Sequence, residues 1–323
     1  MHEIENRKNE NESNGFIDLS DFLRVIYKGK NLILSFTVFI SVCGIVFSFI
    51  LPNEYESRAL LVSVNSSENN MSTNLSRYGG LAALAGISLP SVSSDSNSAK
   101  AIATMKSLSF FENNFMPQIF LPNLMAVKRW EHNTNLIYYD ENIFDKNSNT
   151  WVRSVSYPKK QIPSAQESFE IFKRDHFKLS EDIDTGFVTL TIRHQSPFLA
   201  KKWVEIMIKE INNFYRQKDK FESEKAVIYL NDQMSKTRLS EMIQVIAELL
   251  QQEIQKLTLI EANEAYVFDY IYPPSLMEEK STPNRIAIFF LFTALGLFSS
   301  ILIVLFSDYF STNKKTSKKE TNS

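Results

Sequence analysis

Ile286–Phe306 reads IAIFFLFTALGLFSSILIVLF, and its counterpart Leu32–Leu51 reads LILSFTVFISVCGIVFSFIL. Neither run holds a charged residue, and at 21 and 20 residues each is long enough to cross the hydrocarbon core of a bilayer as a helix. A buried core helix would be shorter or would carry a polar stripe. A cleaved signal peptide fits the first run poorly, because about 30 residues precede it and no Ala-x-Ala site follows. No other segment of this kind lies between Pro52 and Asn284. The expectation is one polar body held to a membrane at both ends.

Flanking charge sets the expected orientation. Arg24, Lys28 and Lys30 precede the first run, and Lys314, Lys315, Lys318 and Lys319 follow the second. The inner flanks carry less: Arg58 after the first run, Lys280 and Arg285 before the second. By the positive-inside rule both termini face the cytoplasm and the large middle section faces outward, which in a Gram-negative bacterium means an inner-membrane protein with a periplasmic middle section. The expected organisation is a cytoplasmic segment 1–31, a span 32–51, a periplasmic domain 52–284, a second span 285–306 and a tail 307–323. Within 52–284, a base (52–196 and 265–284) carries a helical hairpin (197–264).

A net charge of −2 over 323 residues argues against nucleic acid as a partner. The only cysteine, Cys43, lies inside the first run. The middle section therefore has no disulfide, thiol nucleophile or cysteine metal site, and packing alone must hold it.

In chain order, Met1–Asn14 reads as disordered. Ser20 is a candidate N-cap for a short helix with Phe22, Leu23 and Ile26 on one side. EYESRALLVSV is a strand, with Tyr55, Ser57, Ala59 and Leu61 on one face. A polar loop follows, whose Asn-x-Ser sequons at Asn65, Asn70 and Asn74 carry little weight. A small-residue helix is expected over Gly79–Gly86, and another helix from about Asn97–Ser98. Phe111–Gln161 looks irregular, with aromatic patches at Trp130, Tyr138–Tyr139 and Trp151. Such residues stack on sugars in some proteins and more often fill gaps in a core or interface.

A helix is expected from Pro163-Ser164 to Phe172, then a strand at GFVTLTIRH. From Phe198 to Tyr272 there is no glycine or proline, and apolar residues recur at helical spacing. Trp203, Ile206, Met207, Ile211 and Phe214 mark one helix. Leu239, Ile243, Ile246, Leu250, Leu257 and Ile260 mark a second, interrupted at Glu253. A turn near Ser235–Thr237 makes them a hairpin with arms of about 40–55 Å. Its apolar stripes exceed what a small base can cover, so self-association is expected. AYVFDYIY is a last strand. Pro273, Pro274 and Pro283 then stiffen an extended stalk, since each fixes φ and lacks a donor.

Catalytic patterns are absent from the sequence. His132, His176 and His194 stand at no metal-ligand spacing. Glu181, Asp182 and Asp184 suggest a calcium loop, but the twelfth position from Asp182 is Arg193, so a polar turn is the better reading. There is no G-x-S-x-G and no phosphate-binding Gly-rich loop ending in Lys-Ser/Thr. A non-enzyme without cofactor or metal is expected.

Several stretches resemble one family, the Wzz-type O-antigen chain-length regulators, or polysaccharide co-polymerases. They are FIDLSDFLRVIYKGKNLI, LPNEYESRALLVSV, SAKAIATMKSLSFF, AVKRWE, DTGFVTLTIRHQSPFLAKKWVEIM, and the run from YLNDQMSKTRLSEMIQ to VFDYIYPP. The resemblance implies an α+β membrane protein: two transmembrane helices flanking a periplasmic α/β base with a long protruding hairpin. It also implies a ring- or bell-shaped homo-oligomer that sets how many units a membrane O-antigen polymerase adds to a lipid-linked polysaccharide. Two details depart from the family. The upstream prolines are the adjacent pair Pro273-Pro274, and the second span has Gly296 and Ser300 where the family has Gly-x-x-x-Gly.

On this reading Gly296 and Ser300 pack the membrane helices. Pro273, Pro274, Pro283 and Arg285 set stalk geometry, and Leu239, Ile243, Ile246 and Leu250 serve the hairpin or subunit contacts. Two rival readings are a capsule-type export adaptor working with a separate tyrosine kinase and a two-span periplasmic sensor. The sensor would need an output domain, and a tail of 17 residues is too short for one.

Overall fold

A computed structural model describes residues 19–64, 95–262 and 265–320, with side chains over 24–64, 98–262 and 265–307. The expected disordered start, sequon-bearing loop and small-residue helix over Gly79–Gly86 lie outside the described residues. The rest forms two compact units: 1–52 with 283–323, and 53–282.

The first unit is helical: α1 (Leu19–Lys28), α2 (Lys30–Ile50) and α7 (Arg285–Glu320). Ser20 is not an N-cap, because it lies inside α1. Leu19 falls on the same helical period as Phe22, Leu23 and Ile26, so the turn extends back to include it. In α2 and in Arg285–Ser307 of α7, burial is inverted relative to a soluble core. Phe39 and Phe298 are 63% and 65% exposed, whereas Ser41, Gly44, Ser48 and Ser300 are buried. Helices that bury small polar residues and turn phenylalanine outward are built for a hydrocarbon solvent. The protein is an α+β two-span membrane protein.

The second unit is organised on a four-stranded antiparallel sheet of order β6-β7-β1-β8. These strands are β1 (Tyr55–Ser63), β6 (Phe177–Glu181), β7 (Val188–His194) and β8 (Phe268–Tyr272). Ser57, Ala59 and Leu61 of β1 lie opposite Ile192, Leu190 and Val188 of β7, and all six are buried. The period-2 pattern of β1 thus selects its core face. β6 was not visible in the sequence, because FKLSE offers only Phe177 and Leu179 as an alternating pair. The acidic segment before Gly186 is the β6–β7 turn. The Asp182 carboxylate accepts from the amides of Asp184 and Thr185, and Gly186 sits at φ +69°.

Two long helices follow, α5 (Pro197–Lys236) and α6 (Ser240–Ala262). The first turns of α5 lie on the sheet, burying Trp203, Val204, Met207, Ile208 and Ile211. Over this stretch α5 belongs to the base rather than to a free arm. At 1.5 Å per residue α5 is about 60 Å long and α6 about 35 Å, so neither matches the expected arm length: α5 is longer because its first turns belong to the base, and α6 is shorter.

The base is completed by α3 (Asp95–Met105) and α4 (Ala165–Ile171). Ser164 caps α4, its hydroxyl accepting from the Glu167 amide. On α3 the buried apolar residues are Ala101, Ile102 and Met105, while Ala99 and Ala103 face out. The segment 111–161 is more regular than the sequence suggested. A wide helical turn, Phe111–Phe115, is followed by the hairpins β2–β3 (Val127–Glu131, Leu136–Tyr139) and β4–β5 (Phe144–Asp145, Thr150–Trp151). Its aromatics fill gaps. Trp130 meets Tyr55 edge-on at 5.4 Å, and Phe144 packs on Phe120, Tyr139 and Trp151.

The sheet also brings together two histidines that sequence spacing kept apart. The rings of His176 and His194 stack at 5.8 Å, both against Trp203. His194 Nδ1 accepts from the Ser196 amide at 2.8 Å, so Nε2 carries the proton donated to the Asn123 carbonyl at 3.0 Å. Both nitrogens are occupied, which makes His194 a neutral structural residue rather than a ligand. Burial lowers its pKa to about 4 and lowers that of His176 as well.

A depressed histidine pKa contributes stability that is complete above the unfolded value of 6.5 and lost as pH falls from there toward 4. For His194 this amounts to about 2 kcal/mol by about pH 5. The Glu167 carboxyl, held low by Arg153, acts below 4.5, and His176, which acts in the same window, is present in both proteins compared. Denaturant unfolding at neutral pH and at about pH 5 should therefore show a loss in the wild type that shrinks by about 2 kcal/mol in His194→Gln. Equal losses in both proteins would contradict the assignment.

Candidate functional site

No three or more His, Cys, Asp or Glu side chains among the described residues are grouped to hold a metal. The features that can act are two surfaces, one in each unit.

In the helical unit, α2 and α7 pack through small residues in matched steps. On α2 these are Thr37, Ser41 and Gly44, with the buried Ser48 a further turn on; on α7 they are Thr293, Gly296 and Ser300. The Ser41 and Thr293 hydroxyls are 2.9 Å apart, and those of Thr37 and Ser300 3.4 Å apart. Ser41 also donates to the Thr37 carbonyl, and Ser300 to that of Leu297. The hydroxyls of Thr37, Ser41, Thr293 and Ser300 are thus satisfied within the helix pair, as a hydrocarbon surround demands, whereas that of the buried Ser48 has no hydrogen-bond partner among the described residues.

Glycine is required where the helices approach most closely. A Cβ on Gly44 would stand 2.5 Å from Phe292 Cγ, and one on Gly296 3.0 Å from Ile40 Cβ and 3.3 Å from Thr37 Cα. Gly296 and Ser300, singled out from the sequence, therefore face α2, with Ser300 fully buried. Gly44 and Ser41 were missed, although their spacing from Thr37 and Ser48 repeats the same small-residue period. The Arg285 guanidinium lies 4.5 Å from the Phe49 ring centre, a cation–π contact within this unit.

In the second unit, Pro273 and Pro274, expected to set the geometry of a stalk, follow β8. Pro273 is exposed and Pro274 buried, and the Ser275 carbonyl accepts from Ser57 Oγ at 2.9 Å. Further on, Ser281 and Thr282 return to β1 through backbone bonds with Glu54. Pro283 follows directly.

The base of the hairpin is clamped by Asn212, which the sequence did not flag. Its Oδ1 accepts from the amides of Val267 and Phe268 and its Nδ2 donates to the Phe268 carbonyl, all at 2.9 Å. Tyr266 donates to Asp219, and Lys220 pairs with Glu261 across the helices. A polar side chain at position 212, interrupting the apolar face beside Ile211, was the available signal.

Beyond this clamp the two helices do not cover their own apolar residues. Of the four positions picked from the sequence, Ile246 is buried at 8% and Leu250 is half-buried, while Leu239 and Ile243 are 66% and 36% exposed. Ile228, Tyr229, Met242, Val245 and Ile254 are at least half, or nearly half, exposed as well. A patch of this kind outside the membrane helices marks a surface that associates with something.

Bulk at Gly44 should separate α2 from α7. With Cys43→Ser, the pair Ser41→Cys and Thr293→Cys should close an intramolecular disulfide. Adding Gly44→Leu should cut its yield about fivefold or more, given an overpacking cost of about 1–3 kcal/mol. On a non-reducing gel, no disulfide in the parent pair would show that the helices do not meet here, and an unchanged yield with Gly44→Leu would show that Gly44 is not at a tight contact.

Comparison with known proteins bears on the first third of the chain. Residues 15–115 match the family described as "Wzz: Chain length determinant protein". No curated protein matches. Among solved structures, one described as a full-length bacterial polysaccharide co-polymerase is 12% identical, with 91% of this chain and 99% of that chain covered and a TM-score of 0.37. Over residues 15–115, which take in α1, α2, β1 and α3, the chain thus bears out its resemblance to the Wzz-type polysaccharide co-polymerases.

Proposed function

We propose that this protein regulates chain length in bacterial polysaccharide synthesis, and that its product is the O-antigen of lipopolysaccharide. The family match over residues 15–115 supports the first part. On this reading the protein does no bond chemistry. It acts as a homo-oligomeric scaffold, a ring or bell, for the membrane polymerase that extends a lipid-linked chain. Both termini are cytoplasmic and the body 53–282 is periplasmic, as the cation excess on the terminal flanks indicates.

The observation that carries this reading is the uncovered apolar stripe beyond the Asn212 clamp. A hairpin that leaves Met242, Ile243 and Val245 of α6 in water, and Leu239 in the turn just before that helix rather than on it, would be covered by further helices of the same kind, and copies of the chain supply these at fixed spacing. The proline-bearing stalk, Pro273, Pro274 and Pro283, would hold each copy at a common height, and Arg285 would fix the start of the second span. A body that contacts its own copies along tall hairpins presents a repeated surface, which suits a counting scaffold.

Leu239→Lys with Ile243→Lys should leave the single chain folded, since both side chains are exposed, but should dissolve the assembly. Light scattering of the purified protein reads the subunit number. A gel of cell-surface polysaccharide reads the band ladder, whose modal length should be lost in the double variant as in a deletion strain. An unchanged ladder in the deletion strain would remove the chain-length role. A ladder intact in a variant that scatters as single chains would remove the scaffold. Dependence on a separate tyrosine kinase would point instead to an export adaptor.

Orientation has its own test. In a Cys43→Ser background, a cysteine placed at Ser240 should react with a membrane-impermeant maleimide once the outer membrane is opened. Protection until the inner membrane is lysed would reverse the topology.

A further inference from the structure

Within the helical unit, α1, α2 and α7 enclose a groove of about 650 Å³ that neither chain-length control nor the helix pair accounts for. Its walls and its rim differ in chemistry. Ile33, Leu34 and Leu297 line it, and Arg24, Tyr27 and Lys30 border it at one end. Ile33 and Leu34 lie one helical turn beyond Lys30, so charge gives way to hydrocarbon over a single turn. Lys30 is held in place, its ammonium 4.4 Å from the Tyr27 ring centre and 3.5 Å from its hydroxyl. Tyr27 itself is 71% exposed, as suits an aromatic at headgroup level.

We propose that this groove binds one anionic glycerophospholipid, with the phosphate between Arg24 and Lys30 and an acyl chain along Ile33, Leu34 and Leu297. The charge complementarity decides the occupant. A zwitterionic lipid would be held by the apolar wall alone, whereas two cations at headgroup level add about 1 kcal/mol each for a net negative headgroup, which together is more than tenfold in affinity. A free phosphate would use the cations and leave the apolar wall in water. The lipid would tie the amphipathic helix α1 to the spanning pair.

The test uses the full-length protein in detergent, with lipid retention read by native mass spectrometry. The probes are phosphatidylglycerol, phosphatidylcholine, a polyprenyl phosphate and inorganic phosphate, each alone. Phosphatidylglycerol should be retained about tenfold better than phosphatidylcholine, and inorganic phosphate should not displace it. Arg24→Gln with Lys30→Gln should abolish that preference. Lys28→Gln, which removes one cation of the same helix outside the groove, should keep it. Leu297→Trp fills the groove without changing charge and should release the lipid. Circular dichroism confirms that each variant is folded.

Equal retention of the two phospholipids, or a double variant that retains phosphatidylglycerol as the wild type does, would overturn the proposal. Displacement by inorganic phosphate, or selective retention of the polyprenyl phosphate, would overturn it by assigning the site to another ligand.

Discussion

Three backbone hydrogen bonds close the second unit. The Glu54 amide donates to the Thr282 carbonyl, and the Glu54 carbonyl accepts from the amides of Ser281 and Thr282. They join the segment that begins the unit to the segment that ends it, more than two hundred residues later. Just inside them β1 takes a central place in the sheet, paired with β7 on one side and β8 on the other. The first strand is thereby locked between the strand that precedes the hairpin and the strand that follows it. The side chains add to the closure, with Ser281 donating to the Glu56 carboxylate and Thr282 to that of Glu54.

The hairpin grows from this sheet by way of a single α5 that serves two environments. Its first turns are core, with Trp203 packed against Phe115, Phe172, His176 and His194. Phe214 and Tyr215 still touch the base, at Phe110 and Thr104, and the turns beyond them face α6 and solvent. Asn212 stands at the change. Burying an amide is costly unless all its groups are bonded, and here three bonds to the start of β8 meet that cost while fixing where the returning helix must end. Above this point the seam relies on Ile246 and Ile260, with Glu253 between them in sequence. A seam so sparsely apolar holds two helices together but does not bury a stripe on each. The excess apolar surface is what the proposed self-association would cover.

In the helical unit the balance is different. Lipid offers no hydrophobic drive for helices to pair, so the approach of α2 to α7 depends on shape and on hydroxyl pairs worth about 0.6 kcal/mol each on average. Gly44 and Gly296 supply the shape; Ser41, Thr293, Thr37 and Ser300 supply the polar pairs. None of these contacts is strong alone. Their regular spacing along both helices is what fixes one register.

The two spans were legible from composition, since a run of some twenty uncharged residues has few other physical readings. The strand character of β1 and β7 and the helical character of α5 and α6 were legible from periodicity, because a period of 2 or 3.6 is written directly in the order of apolar residues. β6 and the two small hairpins were not, since strands of two to five residues hold too few alternations and form only when a neighbour supplies the hydrogen bonds. The same applies to the surfaces. Gly296 and Leu239 could be named from their spacing, but that Gly296 meets Ile40 while Gly44 meets Phe292, or that Ile246 is covered while Leu239 is not, depends on which residue of another element comes opposite. His176 with His194, and Asn212 with Val267 and Phe268, lie far apart along the chain. Only the folded register brings such pairs together, because a local pattern records which face a residue takes and holds no information about what that face will meet.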